Sequence, residues 1–399
     1  MKMTGKMRIA AAMRHEPVDR VPVMCQLALG HYFLNTTVPA IDVWHSTEGF
    51  GEALVTLQRR YEFDGILINL PGRDPGWRSH IGRVEETAAG TVIRWNNGWV
   101  TVCPADDNPH NYRENGREYH PSFTEVDPDR LLYIEPHDLG GLKYPSAWGF
   151  SKDPAPPEAF FPSWHFDTVD YVRARVGSQV SIHGEIFSPF SQFLELLGYA
   201  QALRALIQNP EKSKACLEAL ARGTIVLGRG QGAHGADAIL MSSAFAGAGF
   251  ISLQHYREFV LPYERQVIQG IRNVHSIPIY THTCGRIGDR LELLADTGAD
   301  GIDTLDPPPL GDIDLADAKR RLGRRLFIKG NLDAVNVILA GTPEQVLESA
   351  LRCIAAGAPG GGYILSSACS VPPHAPPENI AMLAAASRDA SPADYDSHL

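Results

Sequence analysis

What this sequence lacks narrows it before any motif is read. No window of eighteen consecutive apolar residues occurs, so no membrane span is expected. No basic run or cluster interrupts the acidic balance: 36 Lys and Arg stand against 46 Asp and Glu, a formal charge of −10, which argues against nucleic acid as a partner. The six cysteines, Cys25, Cys103, Cys216, Cys284, Cys353 and Cys369, are scattered without the rhythm of a disulfide framework. Reduced thiols in a cytoplasmic protein are the natural inference. The N-terminus has the basic flank of a secretory leader but not its apolar core, because Arg14, His15, Glu16 and Asp19 follow within a few residues. No strand-like stretch is followed by a Gly-rich loop and a helix. Gly360-Gly361-Gly362 precedes its strand, so it reads as a turn, and a nucleotide site at the switch point of a doubly wound sheet is not expected.

What is present is the pattern of an α/β protein. The 399 residues are 44% hydrophobic and 21% charged, a soluble globular composition with enough chain to bury a large core. Short apolar stretches at 22–26, 65–70, 179–187, 238–243, 277–283, 301–305, 326–329 and 362–366 alternate with helical periodicity at 49–61, 191–198, 210–228, 256–271, 288–297, 315–322 and 342–356; a further short helix precedes the first strand at 7–14. Eight such strands predict a (β/α)8 TIM barrel, with residues 1–399 forming a single domain. Between 71 and 162 the pattern breaks, with dense Gly, Pro, Asp and Asn, and residues 91–95 and 99–102 flank Asn96-Asn97-Gly98 as a β-hairpin. This segment is expected to be an insertion over the barrel mouth, a lid.

The chemistry is expected around Thr281-His282-Thr283-Cys284-Gly285, at the end of the fifth strand. Residues i and i+2 of a strand point the same way, so His282 and Cys284 can aim an imidazole and a thiol at one point. Such a pair also occurs as ordinary packing. Cys369, at the end of the eighth strand, adds a second sulfur on the face where parallel α/β barrels do chemistry. Two thiolates and one imidazole suit Zn²⁺, and three protein ligands leave a coordination position open. The other strand ends supply the remaining candidates: Gln26, Asn69, Phe187, Ser242, Asp303 and Asn331 as substrate-facing residues, and Glu185 as a catalytic residue, a fourth ligand or a partner for His282. A salt-bridged Glu185 is the alternative. His183 shares its face, Asp306 and Asp333 read equally well as turn caps, and Phe190, Phe245 and Phe250 read as core with a pocket lining as the alternative. Cys216 and Cys353 read as small apolar fillers.

The segments His282-Thr283-Cys284-Gly285, Gly330-Asn331-Leu332-Asp333 with Gly341-Thr342-Pro343-Glu344, Asp19-Arg20-Val21-Pro22-Val23, and the stretch 366–373 resemble the uroporphyrinogen decarboxylase superfamily, and within it the zinc-dependent cobamide methyltransferases. That resemblance implies His282, Cys284 and Cys369 as zinc ligands. It also implies a corrinoid (cobamide) cofactor, carried by a separate corrinoid protein docked over the mouth. Zinc has no redox chemistry; it strengthens a thiolate nucleophile or eases departure of an oxygen or sulfur leaving group. Methyl transfer between a small-molecule donor or acceptor and a corrinoid is therefore the expected function, with O-demethylation of a methoxylated compound preferred over methylamines, coenzyme M or tetrahydrofolate. A cofactor-free decarboxylase is the runner-up, but its branch carries arginines after the first strand, where this chain has Gln26-Leu27-Ala28-Leu29-Gly30-His31-Tyr32. A corrinoid-binding scaffold with a structural metal is the reading from another class. Formation of a homodimer stays open.

Overall fold

The computed structural model describes residues 2–113, 120–134 and 160–390. Seven parallel strands form one curled sheet in the order β1 (Gly65–Ile68), β6 (Ser181–Phe187), β7 (Ala238–Ser242), β8 (Ile279–Thr283), β9 (Gly301–Thr304), β10 (Phe327–Leu332) and β11 (Tyr363–Ser367). Helices lie between successive strands, so the strands are covered on both sides, and β1 and β7 to β11 are buried along their whole length. The fold is an α/β barrel of the TIM type.

The eighth position is filled differently from the expectation. The predicted first strand at 22–26 is no continuous strand; it touches β11 through one isolated bridge at Val23–Leu365, and just beyond it Leu27 bridges Val371 in the loop after β11. It closes the ring by backbone bonds all the same: Leu365 N–H donates to the Pro22 carbonyl (2.9 Å), Met24 N–H to the Leu365 carbonyl (3.1 Å) and Asp64 N–H to the Val23 carbonyl (2.8 Å). Val23 spends its own N–H on the Asp64 carboxylate at 2.8 Å, and Pro22 has no N–H, so a regular ladder cannot propagate.

The barrel floor is apolar. Ile9, Ala12 and Met13 of the helix Gly5–Met13 pack under Met24, Leu67, Leu240, Tyr280, Phe327 and Ile364. Full burial of each large side chain there is worth about 1.5–3 kcal/mol. The turn into β11 is the Gly360-Gly361-Gly362 run, with φ of 75°, 74° and 70°, a left-handed conformation that glycine adopts without cost. The predicted helix at 256–271 is two helices, Leu253–Phe259 and Leu261–Arg272. Pro262 explains the break, since it has no N–H to donate and its ring collides with the carbonyl four residues back. A helix at Tyr199–Gln208 also stands where no element was expected. Thr342 starts the helix Pro343–Gly357 with a capping box closed by Gln345.

The predicted hairpin is real and belongs to a larger unit: β3 (Gly90–Trp95) and β4 (Trp99–Cys103) are the middle of a four-stranded antiparallel sheet with β2 (Ile81–Thr87) and β5 (His110–Arg113). Residues 114–119 and 135–159 of the expected insertion lie outside the described residues. The sheet meets the barrel on its mouth side. Trp95 and Trp77 pack on His45 with ring centroids 5.0 Å away, and Asp106 pairs with His374 at 2.7 Å, in the loop that follows β11.

Candidate metal centre

His282 leaves β8 at its C-terminal end, paired in register with Ser242 on one side and Asp303 on the other. Its Nε2 is 3.2 Å from Cys284 Sγ, and that sulfur is 3.6 Å from Cys369 Sγ. One ligand atom from each of the three residues lies within 4.8 Å of the others. An ion bound tetrahedrally, at about 2.3 Å from sulfur and about 2.0 Å from nitrogen, would hold two sulfurs roughly 3.8 Å apart and a nitrogen and a sulfur roughly 3.5 Å apart. The His282–Cys284 and Cys284–Cys369 spacings are within a few tenths of an ångström of those values, and two thiols with an imidazole are the soft donors that such an ion takes.

The imidazole is oriented from behind. Its Nδ1 lies 3.2 Å from Asp303 Oδ2 and 2.8 Å from Thr304 Oγ1. A carboxylate can only accept, so Nδ1 carries a hydrogen and Nε2 is the nitrogen turned toward the sulfurs. Neighbouring strand residues normally point to opposite faces. Thr304 escapes that rule through a left-handed backbone (φ 81°), a conformation a β-branched residue adopts only under strain. Asp303 is in turn held by Lys329, whose Nζ donates to Oδ1 at 2.9 Å; both residues are fully buried.

Cys284 and Cys369 arrive on loops that are tied down. The Cys284 N–H donates to the Ala244 carbonyl at 3.3 Å, and the next amide, Gly285 N–H, donates to Asp306 Oδ2 at 2.7 Å. Gly247 packs so closely here that a Cβ on it would stand 2.5 Å from the Cys284 carbonyl oxygen, which restricts the position to glycine. Around Cys369, Ala368 N–H donates to the Leu332 carbonyl (2.7 Å) and Val371 N–H to the Gln26 carbonyl (2.8 Å), while the Pro373 carbonyl lies 3.0 Å from His31 Nδ1.

The charges in the cluster are strongly coupled. The hydrogen bond from Cys284 holds the Cys369 thiol well below its usual range against the opposing effect of burial, with His282 adding to it. Cys284 is pushed up by that same hydrogen bond and by burial. Burial acts to lower His282, but its bonds to Asp303 and Cys369 win and raise it to about 10. Loading a metal on this set therefore displaces protons from the imidazole and a thiol. Asp306 is raised to about 6, first by burial.

The other residues singled out in the sequence divide. Asn69, Glu185 and Phe187 line one small cavity of about 20 Å³, with Tyr133, His165 and Gln231. Through Phe187 it lies next to Ser242, the register neighbour of His282. Gln26 is half-buried, and its carbonyl is the anchor for Val371. Two residues placed on the substrate side are otherwise engaged. Asp303 spends both carboxylate oxygens on His282 and Lys329. Asn331 donates to the Leu305 carbonyl at 2.9 Å and faces Cys353 (3.8 Å) in a groove with Pro307 and Leu315, because Gly330 (φ 146°) interrupts the alternation of the strand. His183 is buried against Tyr280 (2.9 Å) and Ser181 (3.0 Å), and burial pushes it down to about 3. Asp333 caps the following turn through Val335 and Asn336. Phe190 is core, whereas Phe250 is about half exposed against Phe245 and Tyr199. Lys329 and Thr304 were not anticipated. A charged residue inside the apolar run 326–329, two positions before Asn331, was the available signal for Lys329; for Thr304 the sequence holds none.

Comparison with known proteins bears on the family and the fold. The family model for uroporphyrinogen decarboxylase (URO-D) matches residues 151–390. Among curated proteins, the chain is 28% identical over 228 residues to a methylated-thiol–coenzyme M methyltransferase of Methanosarcina mazei, and 27% identical over 228 residues to a uroporphyrinogen decarboxylase of Thioalkalivibrio sulfidiphilus. These alignments cover 57% and 54% of this chain, and 58% and 62% of the two relatives, less than two thirds of either. A solved methyltransferase from Methanosarcina mazei superposes with a TM-score of 0.70 over 97% of this chain and 99% of that one, at 17% identity, which is a likeness of fold. More than half of the chain is matched by one family model, and the chain belongs to the uroporphyrinogen decarboxylase family.

Proposed function

We propose that this protein is a zinc-dependent methyltransferase, moving a methyl group between a small methylated compound or thiol and a corrinoid carried by a partner protein. The observation that carries the reading is the convergence of His282, Cys284 and Cys369 at the barrel mouth, with Asp303 and Thr304 fixing the imidazole. A zinc ion held there would supply Lewis acidity and favour a thiolate or a departing anion at neutral pH. The chain's own residues do the rest. Asp303 and Thr304 keep Nε2 on the sulfur side, and Asp306 and Gly247 fix the turn that presents Cys284. The cavity edge made by Asn69, Glu185 and Phe187 offers hydrogen bonds and an aromatic face for the rest of the donor. The proposed donor is a methoxylated compound and the proposed direction O-demethylation. The sheet β2–β5, anchored through Asp106 and His374, would wall the mouth on one side. All six cysteines are free, which supports a reducing, cytoplasmic setting, and no described helix is long and apolar enough to cross a membrane.

A decarboxylase is the second reading, because several of the similar proteins carry that name. Residues 26–32 hold no arginine to grip a polycarboxylate, and the carboxylates Glu185 and Asp306 near the mouth would repel one. One pair of assays separates the readings. Zinc-loaded protein is mixed with reduced cob(I)alamin and a methoxylated aromatic, and methylcobalamin is followed by absorbance; uroporphyrinogen is tested in parallel for released CO₂. The proposal expects methylcobalamin from the wild type and none from Cys284→Ala or Cys369→Ala. Decarboxylation that survives both substitutions would overturn it.

A further inference from the structure

We propose that Lys329 acts through Asp303 and His282 as the charge-balancing residue of the metal centre, and that this balance lets the centre take up an anionic ligand such as a thiolate. The inference rests on the reading that His282, Cys284 and Cys369 hold zinc.

Lys329 sits inside the barrel, 1% exposed, with its ammonium 2.9 Å from Asp303 Oδ1, while the other oxygen of the same carboxylate faces His282 Nδ1 at 3.2 Å. The three groups form a line from cation to carboxylate to imidazole, aimed at the sulfurs. Two thiolates already cancel the charge of a divalent ion. Asp303 alone would add a negative charge directly behind the imidazole, in an interior where charges are felt strongly. Lys329 cancels it and leaves Asp303 the task of orienting His282. The other titratable groups facing Lys329 do not share its charge. Burial keeps the His183 imidazole neutral and the Cys25 thiol protonated, by pushing the first down to about 3 and the second up. A surplus lysine inside an apolar strand is costly to bury, and orienting the imidazole alone does not require it, since a neutral acceptor at position 303 would serve.

The test uses the full chain loaded with Co²⁺ and 2-mercaptoethanol as the probe, with the cobalt–thiolate charge-transfer band giving a Kd. Lys329→Met should keep the metal and bind the thiolate roughly ten- to thirtyfold more weakly. Asp303→Asn, which keeps an acceptor for His282, should bind it more tightly than wild type. The double variant Asp303→Asn/Lys329→Met should return close to wild type, a rescue that a merely structural ion pair would not give. Equal binding by wild type and Lys329→Met, or no recovery in the double variant, overturns the proposal. Should Lys329→Met fail to fold, Asp303→Asn decides alone: unchanged or weaker thiolate binding with metal retained overturns it. Wild-type protein that binds no Co²⁺ overturns the metal reading itself, a distinct outcome.

Discussion

The sulfurs of Cys284 and Cys369 stand 3.6 Å apart although 85 positions separate them in the chain. One comes from the turn after β8 and the other from the loop after β11, so the barrel brings them together. Two partly exposed thiols this close, one of them held as a thiolate, are set to oxidise together when no ion occupies them, because closing a disulfide needs only a shift to about 2.05 Å. Mild oxidant should therefore remove two titratable thiols from metal-stripped protein, with a peptide linking Cys284 to Cys369 in the mass spectrum, and added zinc should slow the loss at least tenfold. Equal rates with and without zinc would count against the site.

Asp303 and Thr304 share one nitrogen of His282. Partners of this kind typically contribute 10–100-fold to metal affinity. Asp303→Ala should lower zinc affinity by roughly that factor in a chelator competition, and Thr304→Val by less. Unchanged affinity in Asp303→Ala would mean that the imidazole needs no support from behind.

Asp306 holds the amide that follows Cys284, at 2.7 Å, from a position only 4% exposed. Removing the carboxylate takes the charged acceptor from the part-buried Gly285 N–H, a loss of about 1–2 kcal/mol. Urea denaturation of Asp306→Ala should show this loss, and Asp306→Asn, which keeps an oxygen, should recover most of it. Equal stability of all three proteins would show that the turn stands without that bond.

Much of the fold was legible because a parallel barrel strand is buried on both faces and so reads as an unbroken apolar run. The stretch at 22–26 reads the same way but fails to pair regularly, since the diversion of the Val23 N–H to Asp64 depends on a residue about forty positions away. The cluster of His282, Cys284 and Cys369 was legible for a similar reason: His282 and Cys284 are two apart on a strand end, and Cys369 follows an apolar strand. The directions of Thr304 and Asn331 were not. Thr304 reaches His282 only through a left-handed backbone, and Asn331 turns to Leu305 after Gly330; neither bend is written in local residue pattern.

Glu264 gives a pH signature apart from the metal. It is fully buried, its Oε2 accepts from the Tyr256 hydroxyl at 3.2 Å, and burial raises it from 4.5 to about 7, with Ser243 and Tyr256 opposing. A folded-state value above the unfolded one means that the folded chain binds the extra proton. Its contribution is complete below about pH 4.5 and is lost as pH rises through about 7, with a total of about 3 kcal/mol. Glu264→Gln should flatten the fall in unfolding free energy between pH 5 and pH 8, measured by urea titration across that range. A variant profile that falls as steeply as the wild type would locate the pH dependence elsewhere.

Elemental analysis of the purified chain after dialysis decides whether His282, Cys284 and Cys369 hold zinc. Wild type should carry one equivalent of zinc per chain, falling to a small fraction in His282→Ala, Cys284→Ala and Cys369→Ala while their far-ultraviolet circular dichroism stays that of the folded barrel. Wild-type protein that retains no metal when zinc is supplied, or triple substitution that leaves the metal in place, would contradict zinc binding by these residues.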